Sequence, residues 1–190
     1  MKRSGNLIVV VGPSGVGKDS LLSGARERLA RVHFMQRVIT RAADAGGEQH
    51  RSVTEDEFIS LRDQGALLFH WDANGLKYGI SVDARNLVLN GHTVVFNGSR
   101  HALGEQRLLW PELKIIWVTA SVELRARRLA MRGREDEAAI ARRLATADAQ
   151  IPRDVIVIEN EGSVLEGVDR MEKAIRELAC GPQAESSRSF

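Results

Sequence analysis

The chain has 190 residues, 43% hydrophobic and 27% charged, with 27 lysines and arginines against 25 acidic residues. That length buries a sizeable core without staples and suits one α/β domain, and a formal charge of only +2 implies no general affinity for nucleic acid or membrane. The one cysteine, Cys180, excludes an internal disulfide and a cysteine-cluster zinc site.

The basic start, Met1-Lys2-Arg3, leads into an apolar stretch, Leu7–Val11, too short for a signal-peptide core. No run reaches membrane-spanning length, so the expectation is a cytoplasmic protein. Asn6–Val11 is a continuous β-branched run, as a central strand buried on both faces requires. A Gly-rich turn follows, then a helix over about 18–31 whose Leu21, Leu22, Ala25 and Leu29 share one face. Gln36–Ile39 reads as a second strand. Thr54 and Glu57 have capping-box spacing and open a short helix. Leu67–Trp71 and Lys77–Ile80 flank Asn74-Gly75, a hairpin signal. Helix Val82–Leu89 ends at Gly91. Strand Thr93–Asn97, helix His101–Leu109, strand Lys114–Thr119 and helix Val122–Arg132 follow. A polar, Arg-rich helix spans about 135–149, and Asp154–Glu159 is the last strand. Ser163 and Glu166 open a C-terminal helix, and Gly181–Phe190 reads as a fraying tail. This alternation predicts an α/β fold with a largely parallel sheet flanked by helices.

The chemistry concentrates first in Gly12-Pro13-Ser14-Gly15-Val16-Gly17-Lys18, between a strand and a helix. That is the setting of a phosphate-binding P-loop. Successive main-chain N–H groups and the helix N-terminus cradle an anion, and Lys18 reaches the β- and γ-phosphates of ATP. The usual Ser or Thr after the lysine is replaced by Asp19, followed by Ser20. In ordinary P-loop enzymes that hydroxyl and a strand-end carboxylate hold Mg2+. Here the candidate strand ends in Asn97-Gly98-Ser99, with no carboxylate. Asp19 is therefore the candidate magnesium contact; the plainer role is to favour the helix start electrostatically.

Phosphoryl transfer also needs cations around the γ-phosphate and the acceptor. Arg132 and Arg134 lie at a helix–helix junction, with Arg142 and Arg143 on the next helix; the segment could close over ATP as a lid with Arg132, Arg134 and Arg143 toward the phosphates, or form a solvated face paired with Glu135, Asp136 and Glu137. Arg127 and Arg128 read as surface residues. A second basic set comprises Arg37, Arg41, His50, Arg51, Lys77 and Arg100. Arg41 follows a strand and so lies at a carboxyl end, where open α/β sheets bind ligands. His50, His70 and His101 read as surface or packing residues, and without paired histidines at ligand spacing a zinc site is not expected.

Gly12–Leu22, Thr40-Arg41, the helix at Glu55–Phe58, Phe69-His70-Trp71, Tyr78-Gly79, Arg132–Glu135 and Arg143-Leu144 together resemble the guanylate-kinase-like P-loop kinases, over about residues 7–178. The resemblance implies a single domain over 1–180: a five-stranded parallel core, an acceptor-binding insert near 37–81 and a helical lid near 130–150. The departures are specific. Asp44 stands where those kinases carry a second arginine. Their phosphate-binding tyrosine hairpin is shortened away between Glu48 and Phe58. His70 replaces the guanine-reading glutamate, and Asn97-Gly98-Ser99-Arg100 replaces an acidic strand end. Losing the acceptors for a guanine argues against GMP.

With Gly47-Glu48-Gln49-His50 and Trp71–Leu76, these replacements resemble a branch of the family that acts on a doubly phosphorylated ribose in bacterial phosphonate breakdown. That implies transfer from ATP, with Mg2+, to ribose 1,5-bisphosphate, giving 5-phosphoribosyl 1-diphosphate (PRPP). It also implies Lys18, Arg41, Arg134 and Arg143 as catalytic groups, residues 12–20 and Arg132 around ATP, and Arg41, Arg51, Lys77, Tyr78 and Arg100 around the acceptor. Asn160-Glu161-Gly162 is carried over to the adenine side. Two alternatives stay open: a nucleoside monophosphate kinase with an altered base pocket, and an interaction module of the same fold without catalysis. The small-molecule partner is a phosphorylated sugar, with no nucleic acid and no membrane; the oligomeric state, a homodimer included, is left open.

Overall fold

A computed structural model describes residues 5–42, 48–131, 141, 144 and 150–180. Asp44, Arg132, Arg134, Arg142, Arg143 and the 181–190 tail lie outside the described residues, as does most of the Arg-rich helix expected over 135–149.

Five strands form one parallel sheet: β1 (Asn6–Val11), β2 (Val32–Phe34), β7 (Thr93–Asn97), β8 (Lys114–Thr119) and β9 (Ile156–Glu159), in the order β2-β7-β1-β8-β9. β1 is central and buried on both faces, which is why its sequence is apolar throughout. Leu7, Val9 and Val11 pack on one side with Val94, Phe96, Ile115 and Trp117. Ile8 and Val10 pack on the other with Val95, Ile116 and Val118. Each such side chain taken from water contributes about 1.5–3 kcal/mol.

The second face is covered by α1 (Lys18–Arg28) and the long C-terminal α6 (Val164–Cys180), through Leu21, Ala25, Met171 and Ile175. The first face carries α3 (Asp83–Leu89), α4 (Leu103–Leu109) and a four-stranded mixed sheet in the order β4-β3-β6-β5. That sheet comprises β3 (Arg37–Ile39), β4 (His50–Ser52), β5 (Leu67–Ala73) and β6 (Leu76–Ser81), with α2 (Glu55–Asp63) between β4 and β5. Its Ile39, Phe69, Trp71, Tyr78 and Ile80 join the core of the first face. The remaining helix, α5 (Val122–Met131), follows β8.

Local signals hold where one residue type dictates the geometry. Thr54 and Glu57 make the reciprocal capping box, and Ser163 and Glu166 pair in the same way. Asn74 and Gly75 both take positive φ, 51° and 73°, in the turn between β5 and β6. The expected strand at Gln36–Ile39 forms as Arg37–Ile39 and begins the second sheet, while an unexpected strand, Val32–Phe34, joins the core sheet. Three-residue strands carry too little periodicity to be separated by pattern. The first helix also ends three residues early, at Arg28.

Candidate active site

The turn after β1 leaves room for nothing but glycine at two points. A Cβ on Gly12 would sit 2.2 Å from the Val118 carbonyl oxygen. Gly15 has φ 83°, and a Cβ there would meet the Arg125 carbonyl oxygen at 2.8 Å. The loop runs into α1, whose N-cap, Gly17, offers no side-chain cap. The first-turn N–H groups are thereby left for a ligand oxygen. Lys18 Nζ donates to the Gly12 and Pro13 carbonyls at 2.7 and 3.3 Å. Burial pushes its pKa down to about 8; Arg37 and Arg100 add to that push, and Asp19 and Glu48 oppose it.

The loop borders a cleft of about 510 Å³ whose other walls include the Arg37, Arg41, Trp71–Asn74, Leu76 and Tyr78 face of the second sheet and the 97–101 segment after β7. Lys18, Arg37, Arg41 and Arg100 bring cations to it. Trp71 and Tyr78 stack with ring centroids 5.6 Å apart, and the Arg37 guanidinium lies 5.0 Å over the Tyr78 ring. Arg41 is held by β4: His50 Nε2 donates to the Arg41 carbonyl, His50 Nδ1 accepts from Arg41 Nη2, both at 3.2 Å, and Ser52 Oγ donates to the same carbonyl at 2.6 Å. The Nε2-protonated tautomer satisfies both contacts with Arg41; Nδ1 also lies 3.1 Å from the Glu48 carbonyl, to which it donates only when it carries the proton. Arg41 Nε is buried and has no hydrogen-bond partner among the described residues. A buried donor in that state favours an arriving anion.

At the bottom of the cleft, Asn97, 5% exposed, joins its two halves. Its Nδ2 donates to Asp19 Oδ1 at 2.8 Å and to Glu48 Oε2 at 2.7 Å, while Glu48 Oε1 pairs with Arg37 Nε. Asn97 Oδ1 is buried without a partner among the described residues. The strand-end position that lacks a carboxylate thus holds two carboxylates borne by other elements.

No family model matches the chain. It is 44% identical over 172 residues to ribose 1,5-bisphosphate phosphokinase PhnN of Rhizobium etli, covering 88% of this chain and 87% of that protein. It is 43% identical over 182 residues to the protein of the same name from Pseudofrankia inefficax, covering 95% of each. The chain belongs to the ribose 1,5-bisphosphate phosphokinase family. Among solved structures it resembles guanylate kinase from Anaplasma phagocytophilum, with a TM-score of 0.65 and 22% identity over 92% of this chain and 86% of that one. A gluconokinase from Sinorhizobium meliloti matches with a TM-score of 0.52 and 19% identity, over 93% and 95% of the two chains. Both likenesses are of fold, and they agree with the five-stranded parallel core.

The residues expected around the ligands divide within this family frame. Gly12 to Asp19, Arg41, Tyr78 and Arg100 line the cleft. Three do not. Ser20 is one helical step beyond Asp19; it is exposed and borders a neighbouring cavity instead. Arg51 lies between His50 and Ser52, which turn toward Arg41, so strand alternation sends it, exposed, to the other side. Lys77 lies between cleft-lining Leu76 and Tyr78 without lining the cleft itself, and its Nζ is 3.7 Å from Oδ1 of Asp72, which does line it. Exposed His70 also stands off the wall.

Arg128, read as a surface residue, instead donates to the Val16 carbonyl at 3.2 Å and the Asn160 carbonyl at 3.1 Å. Arg127 is exposed as expected. Arg125, 1% exposed, donates from Nε to the Ser14 carbonyl at 3.0 Å, and Asn160 Nδ2 reaches Val16 O at 2.7 Å. These side chains hold P-loop carbonyls on the far side of the loop, which leaves its N–H groups for the cleft. Glu48 and Arg125 are the residues that sequence reasoning missed. An arginine among three in one helix carries no mark of burial, and Glu48 stands out only by its place in a short family motif.

Proposed function

We propose that this protein transfers the γ-phosphoryl group of ATP to the 1-phosphate of ribose 1,5-bisphosphate, yielding ADP and 5-phosphoribosyl 1-diphosphate. The observation that carries the reading is the single cleft with a P-loop on one wall and Arg41, its buried Nε unpartnered among the described residues, on another. The relatives' names supply the acceptor.

An oxygen of the acceptor's 1-phosphate forms the new bond to the γ-phosphorus as the bond to the β-bridging oxygen breaks. That oxygen is already ionised, so no general base is needed. Catalysis rests on positioning and charge neutralisation. Lys18 and the P-loop N–H groups hold the β- and γ-phosphates, while Arg41 and Arg100 hold the acceptor. Trp71 and Tyr78 give a flat wall beside a small sugar, and the position that would read guanine carries His70, which faces elsewhere.

Mg2+ accompanies ATP and neutralises charge on its phosphates. The donors here fit a hard cation: Asp19 would offer it a carboxylate at the mouth of the P-loop, and Asn97 Oδ1, unpartnered among the described residues, would accept from its water of hydration. Arg132, Arg134 and Arg143 are proposed as the lid over ATP, within a single domain over 1–180. No helix among the described residues is long and apolar enough to cross a membrane, consistent with a cytoplasmic enzyme supplying PRPP during phosphonate breakdown.

The test is phosphorus NMR of the protein with Mg-ATP and either ribose 1,5-bisphosphate or GMP. A new diphosphate signal from the sugar with GMP unchanged is expected; phosphorylation of GMP alone overturns the acceptor.

A further inference from the structure

Glu48 arrives from the segment before β4, on the acceptor side, yet its side chain ends at the metal side of the cleft. One carboxylate oxygen pairs with Arg37 and the other accepts from Asn97 Nδ2, the same nitrogen that holds Asp19. Because one nitrogen holds both, the two carboxylate oxygens lie within about 5.5 Å of each other. Like charges at that separation repel unless a cation stands by. Lys18 acts on both carboxylates and Glu48 also pairs with Arg37, that pair's side chains being 16% and 14% exposed, but a carboxylate oxygen has a lone pair beyond the one each hydrogen bond uses. Beside the two carboxylates is the buried Asn97 Oδ1, an acceptor without a donor among the described residues. Two carboxylates on one amide nitrogen and the orphan oxygen of the same amide make an oxygen-rich set beside the P-loop, suited to a hydrated divalent cation, which keeps several waters as donors.

We propose that Glu48 is a second carboxylate for the magnesium ion that accompanies ATP, positioned by Asn97. The proposal deepens the reading of Asp19 as a magnesium contact and rests on it. The cation site then draws one carboxylate from α1 and one from the acceptor side, so magnesium ties the P-loop to the sheet that carries Arg37 and Arg41. The direction of the effect separates this role from a purely structural one. A carboxylate beside a triphosphate hinders nucleotide binding without a cation and helps it with one.

The experiment is calorimetric titration of the full chain with a non-hydrolysable ATP analogue, in Mg2+ and in EDTA, for the wild type, Glu48→Gln, Asp19→Asn and Arg37→Met. For Glu48→Gln the expected result is binding about tenfold weaker in Mg2+, with affinity in EDTA equal to or tighter than wild type. The EDTA arm also shows that the variant is folded. Arg37→Met, which removes the ion pair and leaves the carboxylate, is expected to keep most of the magnesium enhancement. The proposal is overturned if Glu48→Gln weakens both arms equally, leaves both unchanged, or is matched by Arg37→Met. If Asp19→Asn loses the enhancement and Glu48→Gln keeps it, Glu48 alone is excluded. If Asp19→Asn keeps it and Glu48→Gln loses it, the Asp19 reading falls and Glu48 remains as the carboxylate contact.

Discussion

On the P-loop wall of the cleft, the groups that meet phosphate are mainly main-chain N–H, and side chains such as Arg125, Arg128 and Asn160 work from behind by holding carbonyls. On the wall formed by the second sheet, the order is reversed. There Arg37 and Arg41 present side chains, and neighbouring side chains hold them in place, Glu48 for Arg37 and His50 and Ser52 for Arg41. A main-chain cradle is specified by where glycine is required, so its substitutions act through strain and lost stability. A side-chain wall is specified by where each strand residue faces, so its substitutions act on charge and affinity with little effect on the fold. The first kind suits triphosphate, common to a vast range of enzymes; the second is free to change with the acceptor.

The largest effect sharpening that contrast is at Lys18, the one side chain central to the main-chain wall. Lys18→Met is expected to lower kcat/KM for ATP about 1,000-fold, measured by coupled ADP release. Next is Arg41→Ala, expected to lower kcat/KM for the sugar bisphosphate about 100-fold while ATP binding stays near normal. Arg41→Lys should not restore it, because a point ammonium does not replace a fork of donors. Equal losses toward ATP and acceptor would break the division between the walls.

The pH profile comes third. The lowered pKa of Lys18, about 8 in the free protein, means that its ammonium is complete only below that pH. Phosphates favour the ammonium, so ATP binding raises this pKa. Affinity is therefore full below about 8 and falls above it, by about tenfold per pH unit at most. A flat profile from pH 7 to 9.5 for kcat/KM of ATP would exclude this. Arg125→Met, which strips the Ser14 carbonyl of its donor, is expected to lower Tm by about 6 °C and to raise KM for ATP several-fold by letting the loop relax. Thermal melts and initial rates check both, and a change confined to the acceptor's KM would contradict the bracing role. The smallest effect is at Arg51. Arg51→Ala is expected to change every kinetic constant less than twofold, since its side chain faces away from the cleft.

The P-loop was legible because glycine spacing, a β-branched strand before it and an amphipathic helix after it are all local signals. Arg41 was legible for a related reason: it ends a strand, and strand ends face ligands in this architecture. Arg51 and Lys77 were not separable from it by composition, because a one-residue step along a strand reverses a side chain's direction. Arg128 misled in the opposite way, as a basic residue on a charged helix that turns inward to two carbonyls.

The sequence by itself determined the α/β alternation, the P-loop, and that Asp19 and Asn97 stand where P-loop kinases usually carry a hydroxyl and a carboxylate. Only the tertiary structure decided that Asn97 binds Asp19 and Glu48 with one amide, 78 and 49 residues away along the chain. Contacts of that separation leave no period or spacing in the sequence. They exist because the parallel sheet sets the ends of β1 and β7 side by side and the segment before β4 of the second sheet meets them there, where a single NH2 group has two hydrogens to give.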